Sequence, residues 1–69
     1  MQRTPVVSSN IASVGYDDTT ATLEVEFRDG SVYQYFDVPA HEKEALINAG
    51  TVGGYLNAHV KGVYRYARV

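Results

Sequence analysis

The stretch Leu23–Pro39, LEVEFRDGSVYQYFDVP, decides the fold of this chain. Leu23, Val25 and Phe27 alternate with polar residues, and a period of two is typical of a strand with one buried and one solvated face. The next strand pattern begins just after Asp29-Gly30, a pair that favours a hairpin because glycine adopts positive φ without steric cost. The stretch therefore predicts two antiparallel strands, followed by a proline that starts a helix.

The register of this hairpin has two alternatives. A two-residue loop buries Gln34 and exposes the two tyrosines of the second strand. A three-residue loop pairs Phe27 with Ser31 and turns Tyr33 and Tyr35 toward the buried face. A slip of one residue moves every side chain to the other face of the sheet. We favour the three-residue loop, because burying an amide and exposing two aromatic rings are both unfavourable.

Three segments precede the hairpin. Ile11–Tyr16 predicts a strand, and its imperfect alternation indicates a bulge near Ser13 or Gly15. The polar DDTT segment predicts the turn that joins this strand to the hairpin, because Asp and Thr side chains bond to nearby backbone groups. We expect residues 1–5 to form a flexible arm, because Pro5 and its polar neighbours have little to pack against.

After the hairpin the apolar pattern changes to a helical period. Residues 40–49 are rich in helix formers, and Gly50 is suited to end that helix. Thr51 can cap a second helix that runs to Val60. The last segment, Val63–Val69, alternates again and predicts a strand.

These elements fit a chain of 69 residues, which is long enough for one small domain. We assign residues 6–69 to a single α+β domain, in which an antiparallel β-meander carries two short helices on one face and a C-terminal strand returns to the sheet. The chain has no cysteine, which excludes disulfides and thiolate metal sites. It also has no apolar run that suits a signal peptide or a membrane span, so we expect a cytoplasmic protein with no membrane partner. We also expect it to be a monomer.

No group of residues has the pattern of a catalytic or metal site. His41 and His59 lie eighteen positions apart, without a carboxylate at ligand spacing, so no metal ion is expected. Ser8 and Ser9 lack both a nucleophile elbow and an orienting acid. The sequence therefore disfavours an enzyme and implies no cofactor.

The charges are unevenly distributed along the chain. All eight acidic residues lie between Asp17 and Glu44, whereas four of the six basic residues lie outside that range. These four are Arg3, Lys61, Arg65 and Arg68. Two interpretations remain open: a solvated surface of mixed charge, or a basic patch on a protein of net charge −2. A single patch requires the C-terminal strand to lie near the first strand.

Several short motifs occur together in an order that is typical of one family. They are SSNIASVGYD at Ser8–Asp17, Leu23-x-Val25-x-Phe27, Tyr33-Gln34-Tyr35, Gly53-x-Tyr55-Leu56-Asn57 and Tyr64-x-Tyr66. With these motifs the chain resembles the KTSC domain family over nearly its whole length. That family is named for a C-terminal extension of some lysyl-tRNA synthetases, and it also includes free-standing small bacterial proteins.

The resemblance implies a small non-catalytic binding module, with tRNA-related RNA as the first candidate partner. The alternative is a protein–protein interaction or structural domain with no nucleic-acid role. Basic and aromatic residues near the chain ends are the candidate RNA contacts, because cations bind phosphates and rings stack on bases. These are Arg3, Lys61, Tyr64, Arg65, Tyr66 and Arg68. We expect the motif residues Tyr33, Tyr35, Tyr55 and Asn57 to lie mainly in the core.

Overall fold

The computed structural model of the chain describes residues 2–69, which form five strands and two helices. The elements in chain order are β1 (Arg3–Pro5), β2 (Ile11–Asp17), β3 (Thr22–Phe27), β4 (Val32–Tyr35), α1 (Ala40–Ile47), α2 (Val52–Tyr55, continued by a π-helical turn at Leu56–Val60) and β5 (Tyr66–Arg68). The strands form one antiparallel sheet in the order β1-β2-β3-β4-β5. The predicted α+β class is confirmed, with a C-terminal strand that returns to the sheet beside β4.

The hairpin has the register that the three-residue loop predicts. Tyr33 lies opposite Val25, and Tyr35 lies opposite Leu23. The backbone N–H of Phe27 donates to the carbonyl oxygen of Ser31 at 2.8 Å, which closes the loop. Gly30 has a φ of 92°, a backbone conformation that residues other than glycine rarely adopt. This register turns Tyr35 into the core, where it is only 3% exposed.

One core lies between the sheet and the helices. Val25 and Leu23 of β3 pack with Leu46 of α1 and with Leu56 of α2, so both helices cover the same face. In β2, Ile11 pairs with Phe27 whereas Ser13 pairs with Glu26, which leaves Ala12 as an extra residue. This confirms the predicted bulge, and it lets both Ile11 and Val14 reach the core.

The N-terminal segment differs from the flexible arm that we expected from the sequence. Arg3–Pro5 forms the edge strand β1 and pairs with Ser13–Gly15. All three residues are exposed, so the strand has no apolar face that a sequence pattern could reveal. Backbone pairing holds it in place, and the guanidinium of Arg3 also lies 3.3 Å from the carboxylate of Glu24.

Two predicted element ends also shift, and one predicted cap is not formed. Helix α1 ends at Ile47, because the side chain of Asn48 donates to the last-turn carbonyl of Glu44 at 2.9 Å. Thr51 precedes α2, but its side chain makes no capping hydrogen bond there. The last strand begins at Tyr66 instead of residue 63, because residues 61–64 form a turn in which Gly62 has a φ of 79°.

The helices are short in comparison with the thickness of a bilayer. Among residues 2–69, none of them has the length and the apolar content that crossing a membrane requires.

Candidate functional site

An open cleft of about 570 Å³ lies beside the core on the helix-bearing face of the sheet. In β4 and β5, Tyr35 lies opposite Tyr66 and Tyr33 lies opposite Arg68. Tyr35 is buried, whereas Tyr66 is 62% exposed, so the covered face ends within this pair of strands. We call this feature the aromatic cleft; its walls are formed by Phe27, Asp29, Ser31, Tyr33, Tyr35, Lys61, Gly62 and Tyr66.

Four aromatic rings form a continuous row in the aromatic cleft. The ring of Tyr33 meets that of Phe27 edge-on, with centroids 5.7 Å apart. Tyr66 lies between Tyr33 and Tyr35, at 5.9 Å from each centroid. These distances are in the range that favours aromatic pairing. The row is buried at one end, at Tyr35, and the side chain of Tyr66 is exposed to solvent.

Two exposed cations lie over rings of this row. The Nζ atom of Lys61 lies 5.2 Å from the ring centroid of Phe27. The Cζ atom of Arg68 lies 5.9 Å from the ring centroid of Tyr33. Both distances permit a cation–π interaction, which holds the charged groups over the rings of Phe27 and Tyr33. The cleft therefore places aromatic rings and positive charge side by side.

One acidic residue, Asp29, also lines the aromatic cleft. Its Oδ1 atom accepts hydrogen bonds from the backbone N–H and the hydroxyl of Ser31, at 2.9 and 2.6 Å. The Ser31 hydroxyl bond is the main cause of the lowered pKa of Asp29, with a smaller contribution from the charge of Arg68. Two cations and one carboxylate therefore give the cleft a positive balance in a protein of net charge −2.

The predicted RNA contacts do not form one patch. Lys61, Tyr66 and Arg68 meet at the aromatic cleft. Arg3 lies in β1 at the opposite edge of the sheet, because β5 pairs with β4 and not with the first strands. Arg65 points elsewhere: its guanidinium lies 2.9 Å from the carboxylate of Asp37 and over the ring of Phe36.

Tyr64 belongs to a second cluster, on the helix side of the molecule. Its hydroxyl donates to the Oε2 atom of Glu42 at 3.1 Å, and the hydroxyl of Tyr55 donates to Oε1 of the same carboxylate. The bond from Tyr55 is the main cause of the lowered pKa of Glu42, and bonding to Glu42 raises the pKa of Tyr55 in turn. Glu42 thus links α1 to α2 and to the turn that leads into β5.

The motif residues that we expected mainly in the core take different positions. Tyr35 is buried, whereas Tyr33 and Tyr55 are only partly buried. Asn57 is exposed and lines a smaller polar depression between Ser8–Asn10 and the start of α2. The reason is that α2 fully buries Val52, Leu56 and Val60 and packs Tyr55 against the edge of the core, whereas Asn57 lies on the solvent side.

Neither histidine belongs to a cluster of metal-ligating side chains among the described residues. His59 stacks on the ring of Tyr55, with centroids 4.4 Å apart. Over residues 2–69, the structure brings together no group of three or more His, Asp or Glu side chains that could hold a metal ion.

Comparison with known proteins identifies the family of this domain. The family model of the KTSC domain matches residues 7–69. The chain belongs to the KTSC domain family. A crystal structure of a KTSC domain protein from Yersinia pestis has a TM-score of 0.94 to this chain at 36% sequence identity, and the match covers 99% of this chain and 96% of that one.

Relatives of this KTSC domain occur in two contexts. A protein named lysine–tRNA ligase from Trichormus variabilis is 44% identical over 61 residues, which are 88% of this chain and 11% of that protein. The chain thus spans about a tenth of the length of such relatives. An uncharacterized protein from Stutzerimonas stutzeri is 40% identical, and the match covers all of this chain and 99% of that protein.

Sequence reasoning did not assign four residues of the aromatic cleft in this KTSC domain to a site: Gly62 and three residues of the hairpin. Phe27, Asp29 and Ser31 come from the hairpin, which we interpreted only as core and turn. Phe27 lies at the end of its strand, where the core ends, so it is partly buried and one side is open. The available signal was the cross-strand geometry, because the preferred register already placed Tyr33 and Phe27 on one face.

Proposed function

We propose that this domain is a non-catalytic module that binds single-stranded RNA in the aromatic cleft. The observation that carries the proposal is the row of Phe27, Tyr33 and Tyr66 with the cations of Lys61 and Arg68 beside it. Ring faces accept any base by stacking, and cations beside them can contact the phosphates of the same strand. The proposal includes a cytoplasmic location, where RNA is available as a partner.

The shape of the cleft favours single-stranded over duplex RNA. An unpaired base has free faces and can stack on the exposed side of Tyr66, whereas bases inside an A-form helix are already stacked on their neighbours. The relatives that carry a similar segment within a lysine–tRNA ligase give a context in which tRNA is a candidate source of such bases. Loops and single-stranded ends are the parts of tRNA that fit this chemistry.

The number of cations at the cleft sets the expected salt dependence. Lys61 and Arg68 allow two phosphate contacts, so the salt slope should be about −1.4 for a single strand, from about −0.7 for each contact. Raising the salt from about 50 to 200 mM should then weaken binding about sevenfold.

Labelled single-stranded RNA is therefore expected to bind weakly at low salt and more weakly at high salt. The measurement is a fluorescence anisotropy titration with a short mixed-sequence RNA and with tRNA, at about 50 and 200 mM salt. Tyr66→Ala should weaken binding at least about fivefold at both salt concentrations, because stacking contributes about 1–3 kcal/mol for each base. Lys61→Gln and Arg68→Gln should each reduce the salt slope.

Arg65→Gln is the matched control for these charge changes. It removes one positive charge from an exposed residue of the same segment, but its side chain lies against Asp37 and Phe36 and not in the cleft. We expect this variant to bind like the original chain. If Arg65→Gln weakened RNA binding as much as Lys61→Gln, the RNA site would not be the aromatic cleft. If the original chain bound no RNA at about 50 mM salt, the protein-interaction alternative would be favoured.

A further inference from the structure

The two edges of the sheet differ in how well they are protected. The β1 edge carries Arg3 and Pro5, and both charge and proline discourage pairing with another strand. The β5 edge, Tyr66–Arg68, also carries one exposed charge, at Arg68, but it has no proline. Two large exposed apolar side chains lie at this edge: Tyr66 in β5 and Val69 directly after it are 62% and 65% exposed. The β5 edge is therefore the open one.

The hydrogen-bond pattern shows which backbone groups of β5 face outward. The N–H of Phe36 donates to the carbonyl of Arg65, and the N–H of Val69 donates to the carbonyl of Val32, both at 2.9 Å. Bonded and non-bonded pairs alternate in an antiparallel ladder, so Ala67 also faces β4. The N–H and C=O groups of Tyr66 and Arg68 therefore point away from the sheet.

We propose that β5 pairs with β5 of a second copy of this chain, antiparallel and about a twofold axis at Ala67. This inference goes beyond RNA binding and departs from the monomer expected from the sequence. In this arrangement the outward backbone groups of Tyr66 bond to those of Arg68 in the partner copy, and the reverse pair forms by symmetry. Four backbone hydrogen bonds result from a strand of three residues.

The side chains of β5 are self-complementary in this register. Ala67 lies opposite its own copy, so no bulky or charged group meets itself at the axis. Tyr66 lies opposite Arg68 of the other chain on both sides of the axis, and opposed aromatic and cationic side chains attract each other. On the other face, Val69 lies opposite Arg65, whose charge is paired with Asp37 in its own chain.

The pairing has a consequence for the aromatic cleft. A twofold axis perpendicular to an antiparallel ladder keeps the same face of both sheets on one side. The two copies would form one ten-stranded sheet, with both clefts adjacent on the same face. A single RNA strand could then contact both clefts, which raises the effective concentration of the second contact.

Self-association without RNA is the direct test. We expect sedimentation velocity to show a monomer–dimer equilibrium that shifts toward dimer as protein concentration rises. Arg68→Pro removes an outward N–H without removing a bond to β4, so it should weaken dimerisation at least tenfold. Arg68→Gln, which keeps that N–H, should weaken it far less. Thermal melts of both variants establish that each is folded.

Amide hydrogen exchange in the original chain tests the same register without any substitution. The amide of Ala67 should be protected at every protein concentration, because it bonds within the chain. The amides of Tyr66 and Arg68 should become protected only as concentration rises. A single monomeric species at all concentrations, a dimer that Arg68→Pro leaves intact, or fast exchange at Tyr66 and Arg68 throughout would each overturn the proposal.

Discussion

We expect Tyr35→Ala to lower the free energy of unfolding by about 3–5 kcal/mol, the range measured for deletion of a large aromatic side chain from a core. Tyr35 is 3% exposed, lies opposite Leu23 in the sheet and contacts the ring of Tyr66. A domain of this size has little stability in reserve, so a loss of this magnitude would unfold a large part of the population. Urea denaturation followed by circular dichroism measures the effect.

Two tyrosine variants act as controls for this result. Tyr66→Ala removes a ring that is 62% exposed, so it should lower the free energy of unfolding far less than Tyr35→Ala does. Tyr35→Phe keeps the ring, so it should cost little near neutral pH. Burial raises the pKa of Tyr35, so its neutral form stabilises the fold below pH 10 and that contribution is lost as pH rises through the folded pKa. Above the folded pKa, the Tyr35→Phe variant should therefore be more stable than the original chain.

A loss of less than about 1 kcal/mol in the free energy of unfolding for Tyr35→Ala would contradict the hairpin register.

Leu46→Ala should lower the free energy of unfolding by about 2–5 kcal/mol. Leu46 is the buried side chain of α1, and it is 0% exposed. Its removal leaves a cavity between the helix and the sheet and weakens the attachment of α1. Thermal and urea denaturation give the loss in stability, and amide exchange shows whether residues 40–47 lose protection before the strands do.

The neighbouring Ile47→Ala is the matched control for α1. Ile47 is also a large aliphatic residue in the last turn of the helix, but it is only partly buried. We expect it to cost clearly less than Leu46→Ala, since less apolar area is removed from the core. Equal losses for the two variants would mean that the helix packs through a different face.

The elements with one buried face are the parts of the fold that the sequence predicts well. The alternation at Leu23, Val25 and Phe27 and the Asp29-Gly30 pair together determine the hairpin and its register. The edge strand Arg3–Pro5 has no such signal, because all of its side chains are exposed. Its backbone hydrogen bonds depend on β2 being nearby, and the sequence of these three residues does not predict that pairing.

The candidate site was predicted only in part, for a similar reason. Lys61, Tyr66 and Arg68 were chosen from charge and aromaticity, and they do meet. Arg3 and Arg65 have the same chemistry but different locations, because strand order is a property of the tertiary fold. Once β5 lies next to β4, the sheet separates Arg3 from the other cations. Local propensity contains no information on that order.

Site mapping by NMR tests the central claim most directly. The measurement is a ¹H–¹⁵N spectrum of the labelled chain during titration with short single-stranded RNA at low salt. RNA binding in the aromatic cleft predicts that the amide shifts of Phe27, Tyr33, Lys61 and Tyr66 change together and saturate together. The amides of Arg3 and Glu24, on the opposite face, should stay constant. Changes confined to that face, or the absence of any change up to millimolar RNA, would contradict the account.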